Sequence, residues 1–190
     1  MVDEAVALAE EMDWENVRLR VVAQRMGVSL ADVVREYRDQ DAVANAWFQR
    51  GWTAMLAAPP EGFAAPPAEE RLYLIMMRWF DAFAGHREVT AQMIATKIYA
   101  PHPHHWVPLI FNLSRTIQWL RDAARLDAGG LRRQVEEVGL TALFLATLAT
   151  WAKDDSENQE RTRRFLRHRL ADADRAMVVL WARAEPPGEA

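Results

Sequence analysis

Apolar residues recur at spacings of three and four along nearly the whole chain, and runs that alternate apolar with polar are rare. That periodicity predicts an all-α protein of about nine helices and no strand. The first helix is expected over residues 2–12, with Val6, Ala9 and Met12 inward, followed by a loop in which Asn16 caps the next helix. The second runs 17–26 with Leu19, Val22, Ala23 and Met26 on one side, and Gly27 ends it. Ser29 caps a third helix over 30–37, Arg38-Asp39-Gln40 breaks it, and a fourth runs from Asp41 to about Ala57. APPEGFAAPP, residues 58–67, holds four prolines and a glycine and reads as a linker. This divides the chain into an N-terminal domain, 1–57, with the fourth helix as connector, and a helical domain, 58–190. Later helices are expected over 68–84, 87–99, 106–126, 131–153 and 157–184. PHPHH, residues 101–105, reads as a stiff loop, Asp154-Asp155 as a turn with Ser156 as a cap, and EPPGEA as a tail without structure.

The stretch RMGVSLADVVREY, residues 25–37, is a helix end, a tight turn and a second helix, the outline of a helix-turn-helix. Glycine permits the sharp change of direction, and serine satisfies the free N–H groups of the new helix. A helix that reads DNA needs donors for phosphates and base edges. Here the candidates are Arg18, Arg20, Arg25, Ser29, Arg35, Tyr37 and Arg38, with Arg50 further on, and Ser29 with the free amides of the third helix is a candidate phosphate holder. Asp32 and Glu36 stand against them, so residues 29–38 carry no net positive charge.

VRLRVVAQRMGVSLADVVREYRDQDAVANAWF resembles the N-terminal three-helix domain of the TetR family of one-component repressors. Ala23 matches the small residue at the crossing of the second and third helices, Gly27-Val28-Ser29 the family turn, and Val33 and Tyr37 its apolar positions. The resemblance covers about residues 2–57. It implies a TetR-like fold, a helix-turn-helix domain plus a helical ligand-binding and dimerisation domain, in a homodimeric repressor that binds double-stranded DNA until a small lipophilic ligand relieves it. The family's usual backbone-contact positions correspond to Asp32, Val34, Glu36 and Gln40, so the usual contact residues are missing. ALFLATLATWAKDDSENQERTRRFLRHRLADADRA, residues 142–176, resembles the end of the TetR-fold lipid-binding protein of coenzyme Q biosynthesis. The matching residues are Trp151, Asp155, Ser156, Thr162, Phe165, Leu166, Arg169, Leu170 and Asp172. That second resemblance implies an isoprenoid-binding accessory protein that has lost DNA binding.

Composition narrows these readings. The net charge is −4, less basic than a free-standing nucleic-acid binder usually is. There are no cysteines, which excludes a disulfide scaffold and a thiolate metal site and points to a reducing cytoplasm. No signal sequence or membrane span is expected. The eight tryptophans suggest large cavities, a bulky apolar ligand or an aromatic interface. Met76, Trp79, Phe80, Phe83, Met93, Phe111, Asn112, Ser114, Trp119 and Phe144 are candidates for a ligand pocket, though the apolar ones equally fill an ordinary core. Residues 139–151 are apolar nearly all round, which fits a symmetric four-helix interface through the last two helices, or burial in the monomer core. The arginines of the last helix, Arg161 to Arg169, read as a solvated face or as an anionic-lipid surface. His102, His104 and His105 are too extended on their loop to be expected to hold a metal, and no cofactor is expected. Only three serines are present, two of them caps, and no phosphate loop, nucleophile elbow or HExxH motif occurs, so no catalysis is expected.

Overall fold

The computed structural model describes the backbone of residues 1–98 and 103–182, with side chains for residues 1–98 and 112–181. Among the described residues there are nine α-helices and no strand: α1 Val2–Met12, α2 Leu19–Met26, α3 Leu30–Glu36, α4 Gln40–Met55, α5 Ala68–Asp81, α6 Arg87–Ile98, α7 Pro103–Ala123, α8 Gly130–Trp151 and α9 Glu160–Ala182. They form two compact units, one of residues 1–57 with 78–116, the other of 58–77 with 117–190.

In the first unit α1 packs on α2 and α4, and α2 on α3. Leu8, Val22, Val43 and Trp47 are buried there, with Ala23 and Val33 at the α2–α3 contact. Met12 and Met26, expected inward, lie exposed at the ends of their helices, where no neighbouring element covers them. Asn16 does not cap α2. It sits in a 3-10 turn and donates from Nδ2 to the Met12 carbonyl (2.8 Å), so it closes α1 instead, and α2 begins after Arg18. Gly27 ends α2 in the left-handed conformation, φ 68°. Glycine is demanded for a different reason at Gly51 in α4, where an added Cβ would lie 2.6 Å from the Phe83 ring and 2.7 Å from Trp79 Nε1. The aromatic cluster of Trp47, Phe83 and Trp79 needs that close approach, with ring centroids 5.3 and 4.9 Å apart. α6 is tied to the N-terminal helices by polar contacts. Trp47 Nε1 donates to Thr90 Oγ1 (2.9 Å), the Trp14 amide to Gln92 Oε1 (2.7 Å), and the buried Lys97 ammonium to Asp41 and to Asn45 Oδ1.

In the second unit the 58–67 segment is anchored. Phe63 is buried, with the Arg125 guanidinium 5.9 Å from its ring centre. α8 and α9 pack as an antiparallel pair. The buried Arg121 of α7 bridges Glu136 (2.8 Å) and Glu137 (3.4 Å) at the start of α8 and donates to the Ala128 carbonyl (3.1 Å), which locks the α7–α8 turn. α7 starts at Pro103, inside the expected 101–105 loop, because a proline in the first helical turn forfeits only an N–H that has no intrahelical partner. The side chains of His104, His105 and Phe111, His102 itself, and the C-terminal tail lie outside the described residues.

Candidate nucleic-acid interface

α3 is a seven-residue helix with one inward residue, Val33. At 100° per residue, Ala31 and Arg35 form its outermost row. Leu30 and Val34 line one edge, Asp32 and Glu36 the other, and all six are exposed. The helix starts on a reciprocal cap. Ser29 Oγ accepts from the Asp32 N–H (3.2 Å), and Asp32 Oδ2 accepts from the Ser29 N–H (3.1 Å) and Oγ (2.5 Å). These bonds, with a smaller contribution from Arg35, hold the Asp32 carboxyl below the usual carboxylate range. Asp32 thus engages the N–H and Oγ of Ser29 and sets a carboxylate beside the start of the helix. Tyr37 is not within the helix. It is the half-buried C-cap, with its phenol pushed up by burial and then by its hydrogen bond with Glu36.

The basic candidates divide. Arg25 is chelated by Glu11 (2.5 and 2.7 Å), Arg35 Nη2 donates to Asp32 Oδ1 (2.5 Å), and Arg38 Nε to Asp39 Oδ2 (2.9 Å). Arg50 is paired with Asp3 (2.5 Å). Arg18 donates to the Glu15 and Val17 carbonyls, and neither it nor the exposed Arg20 has a carboxylate partner among the described residues. Residues 1–57 hold six arginines and ten carboxylates, so this stretch carries the whole of the chain's net charge of −4. Exposed ion pairs contribute about 0–1 kcal/mol and exchange readily for a phosphate, but the net repulsion of the stretch does not exchange away.

The second motif is a knot between α8 and α9. Asp154, not Asp155, is its carboxylate. Asp154 is fully buried and accepts from Ser156 N (3.0 Å) and Oγ (2.5 Å) and from Thr162 N (2.7 Å) and Oγ1 (2.5 Å), whereas Asp155 is exposed. Burial pushes its pKa up, and these hydrogen bonds more than reverse that, holding it at about 2. Ser156 Oγ accepts from the Arg161 N–H (3.0 Å), and Trp151 Nε1 donates to the buried Gln159 Oε1 (2.5 Å), whose backbone is left-handed at φ 59°. Three of the residues that carry the second resemblance, Trp151, Ser156 and Thr162, thus turn the chain from α8 into α9. Pairing Trp151 with Gln159 and choosing Asp154 over its neighbour were not legible in the sequence. The only hint was that a helix cap has room for one of two adjacent acids.

The expected ligand-pocket residues fall in both units. In the first, Trp79, Phe80, Phe83 and Met93 are buried, Asn112 is half-buried and Ser114 exposed. In the second, Met76 and Phe144 are buried while Trp119 is 44% exposed. Leu131, Val138 and Leu145 repeat every seven residues on α8 and are exposed, as are Val178, Val179 and Leu180 on α9. On α9, Arg163 donates to the Asn158 carbonyl, Arg167 lies over the Tyr73 ring (4.4 Å) and Arg169 pairs with Asp172 (3.3 Å). Among the described residues no three potential ligands cluster to hold a metal, and no helix is long and apolar enough to cross a membrane.

No curated protein sequence matches the chain. The COQ9 family model matches residues 137–177, which is most of α8, the Asp154 knot and α9 as far as Met177. Among solved structures, a TetR transcriptional regulator from Rhodococcus sp. RHA1 shares the fold at 15% identity, with a TM-score of 0.63 over 90% of this chain and 91% of that one. A TetR transcriptional regulator from Nitrosomonas europaea ATCC 19718 is 40% identical, with a TM-score of 0.81 over 91% of this chain and 95% of that one. With its helix-turn-helix, its all-helical fold and a likeness of this degree along nearly its full length, the chain belongs to the TetR family.

Proposed function

We propose that the protein is a homodimeric transcriptional regulator that binds duplex DNA through α3 and is released by a small lipophilic ligand. The observation that carries this reading is the intact head. A glycine-terminated α2 and a reciprocally capped α3 present Ala31 and Arg35 outward, in a chain 40% identical to a protein described as a transcriptional regulator. Supporting the dimer are the exposed heptad-spaced Leu131, Val138 and Leu145, an apolar row that a partner copy of α8 and α9 would cover. A helix-turn-helix normally reads two half-sites with two heads. Supporting the ligand is the Met- and aromatic-rich cluster of Trp79, Phe80, Phe83 and Met93, whose soft side chains can repack around an apolar guest. To switch the protein, that guest must bind two head arrangements unequally.

A second reading, a TetR-fold lipid-binding accessory protein with an idle head, is favoured by the net charge of residues 1–57 and by the COQ9 family match at residues 137–177. Binding to the duplex upstream of the protein's own gene, against a random duplex at low and moderate salt, separates the two. Selective binding that survives moderate salt supports the regulator. Equal or absent binding, with an isoprenoid lipid co-purifying, overturns it in favour of the second reading.

A further inference from the structure

The geometry of α3 points to a specific chemistry of recognition. We propose that Leu30 and Val34 are the specificity-determining residues of the head and that they select operator sites by contact with thymine methyl groups. This rests on the DNA-binding reading above.

Leu30 and Val34 are 48% and 54% exposed, four residues apart, and therefore stacked on one edge of α3 beside the outermost row. Val33 is the one buried residue of the helix, so packing does not call for two branched apolar side chains there, and Val34 stands where the resemblance implies a backbone contact that an apolar side chain does not make. The opposite edge, Asp32 and Glu36, is acidic and repelled by phosphates, so a helix entering the major groove with Ala31 and Arg35 outermost does best leaning its apolar edge toward the bases. Of the groups displayed in that groove, the thymine C5 methyl is the apolar one. The others are acceptors at guanine and adenine N7, guanine O6 and thymine O4, or amino donors. A leucine or valine pressed on those would strip their water and return no hydrogen bond, so the same two residues also reject wrong bases. Arg35, paired with Asp32 Oδ1, has further N–H groups for a guanine or a phosphate. Because the head carries net negative charge, little background affinity comes from counterion release, and base-edge contacts carry a larger share of binding than in a basic head.

The test selects duplexes from a random pool with the full-length protein. The winners are then resynthesised with deoxyuridine for thymidine, which removes only the methyl. Affinity is read by fluorescence anisotropy. Burial of one methyl corresponds to about fourfold in affinity, and loss of two to more than about tenfold. The proposal expects that drop for the wild type and expects Leu30→Ala with Val34→Ala to bind both duplexes alike. Both residues are surface positions, so circular dichroism should report an unchanged fold. Selected duplexes that bind equally well with deoxyuridine overturn the thymine inference and leave the regulator reading standing. A pool from which nothing is enriched overturns both.

Discussion

The carboxylate that joins α8 to α9 does so in its charged form. Asp154 is fully buried, accepts four hydrogen bonds from Ser156 and Thr162, and has a pKa of about 2. An unfolded aspartate titrates near 3.9, so the folded state favours the charged form by about two pKa units, or roughly 2–3 kcal/mol at neutral pH. Since the folded pKa is depressed, this stability is present in full above the unfolded value and is lost as pH falls through 4 toward 2, with about half left at pH 3. Asp154→Asn keeps one acceptor oxygen but turns an amino group toward N–H and O–H donors, so it should cost about the same 2–3 kcal/mol. Urea unfolding of wild type and variant at pH 7, 5 and 3 reads the difference directly. The gap should be constant from pH 7 to 5 and shrink to about half by pH 3. A gap that does not change with pH, or one below about 0.5 kcal/mol at pH 7, would refute the claim that a charged Asp154 holds the knot.

Gly51→Ala places a Cβ within 2.6 Å of the Phe83 ring, and overpacking of about 1–3 kcal/mol should outweigh the roughly 1 kcal/mol gain in helix propensity, which a lowered thermal midpoint would show. Lys97→Met removes a buried ammonium from between Asp41 and Asn45 and should destabilise by about 3 kcal/mol in denaturant titration. Val138→Glu with Leu145→Glu alters residues 72% and 44% exposed in the single chain, so it should leave helicity intact while light scattering reports a monomer in place of a dimer.

Local chemistry declared itself in the linear chain. Helix periodicity, the Gly27 stop, the Ser29 cap and the outline of the helix-turn-helix depend on residues within a few positions of one another, and a one-dimensional reading contains them. Side-chain pairing across elements is different in kind. Whether Arg25 faces solvent or Glu11, whether Asp154 or Asp155 is buried, and whether Lys97 reaches Asp41, 56 residues away, depend on how helices cross, and either outcome fits the same composition. The joining of residues 78–116 to the N-terminal 57 in one unit likewise follows from packing and leaves no periodic trace. The arginines that looked free for DNA were legible as residues, but their carboxylate partners were not. Three of them come from α1 (Asp3, Glu4 and Glu11), brought to the head arginines only by the fold.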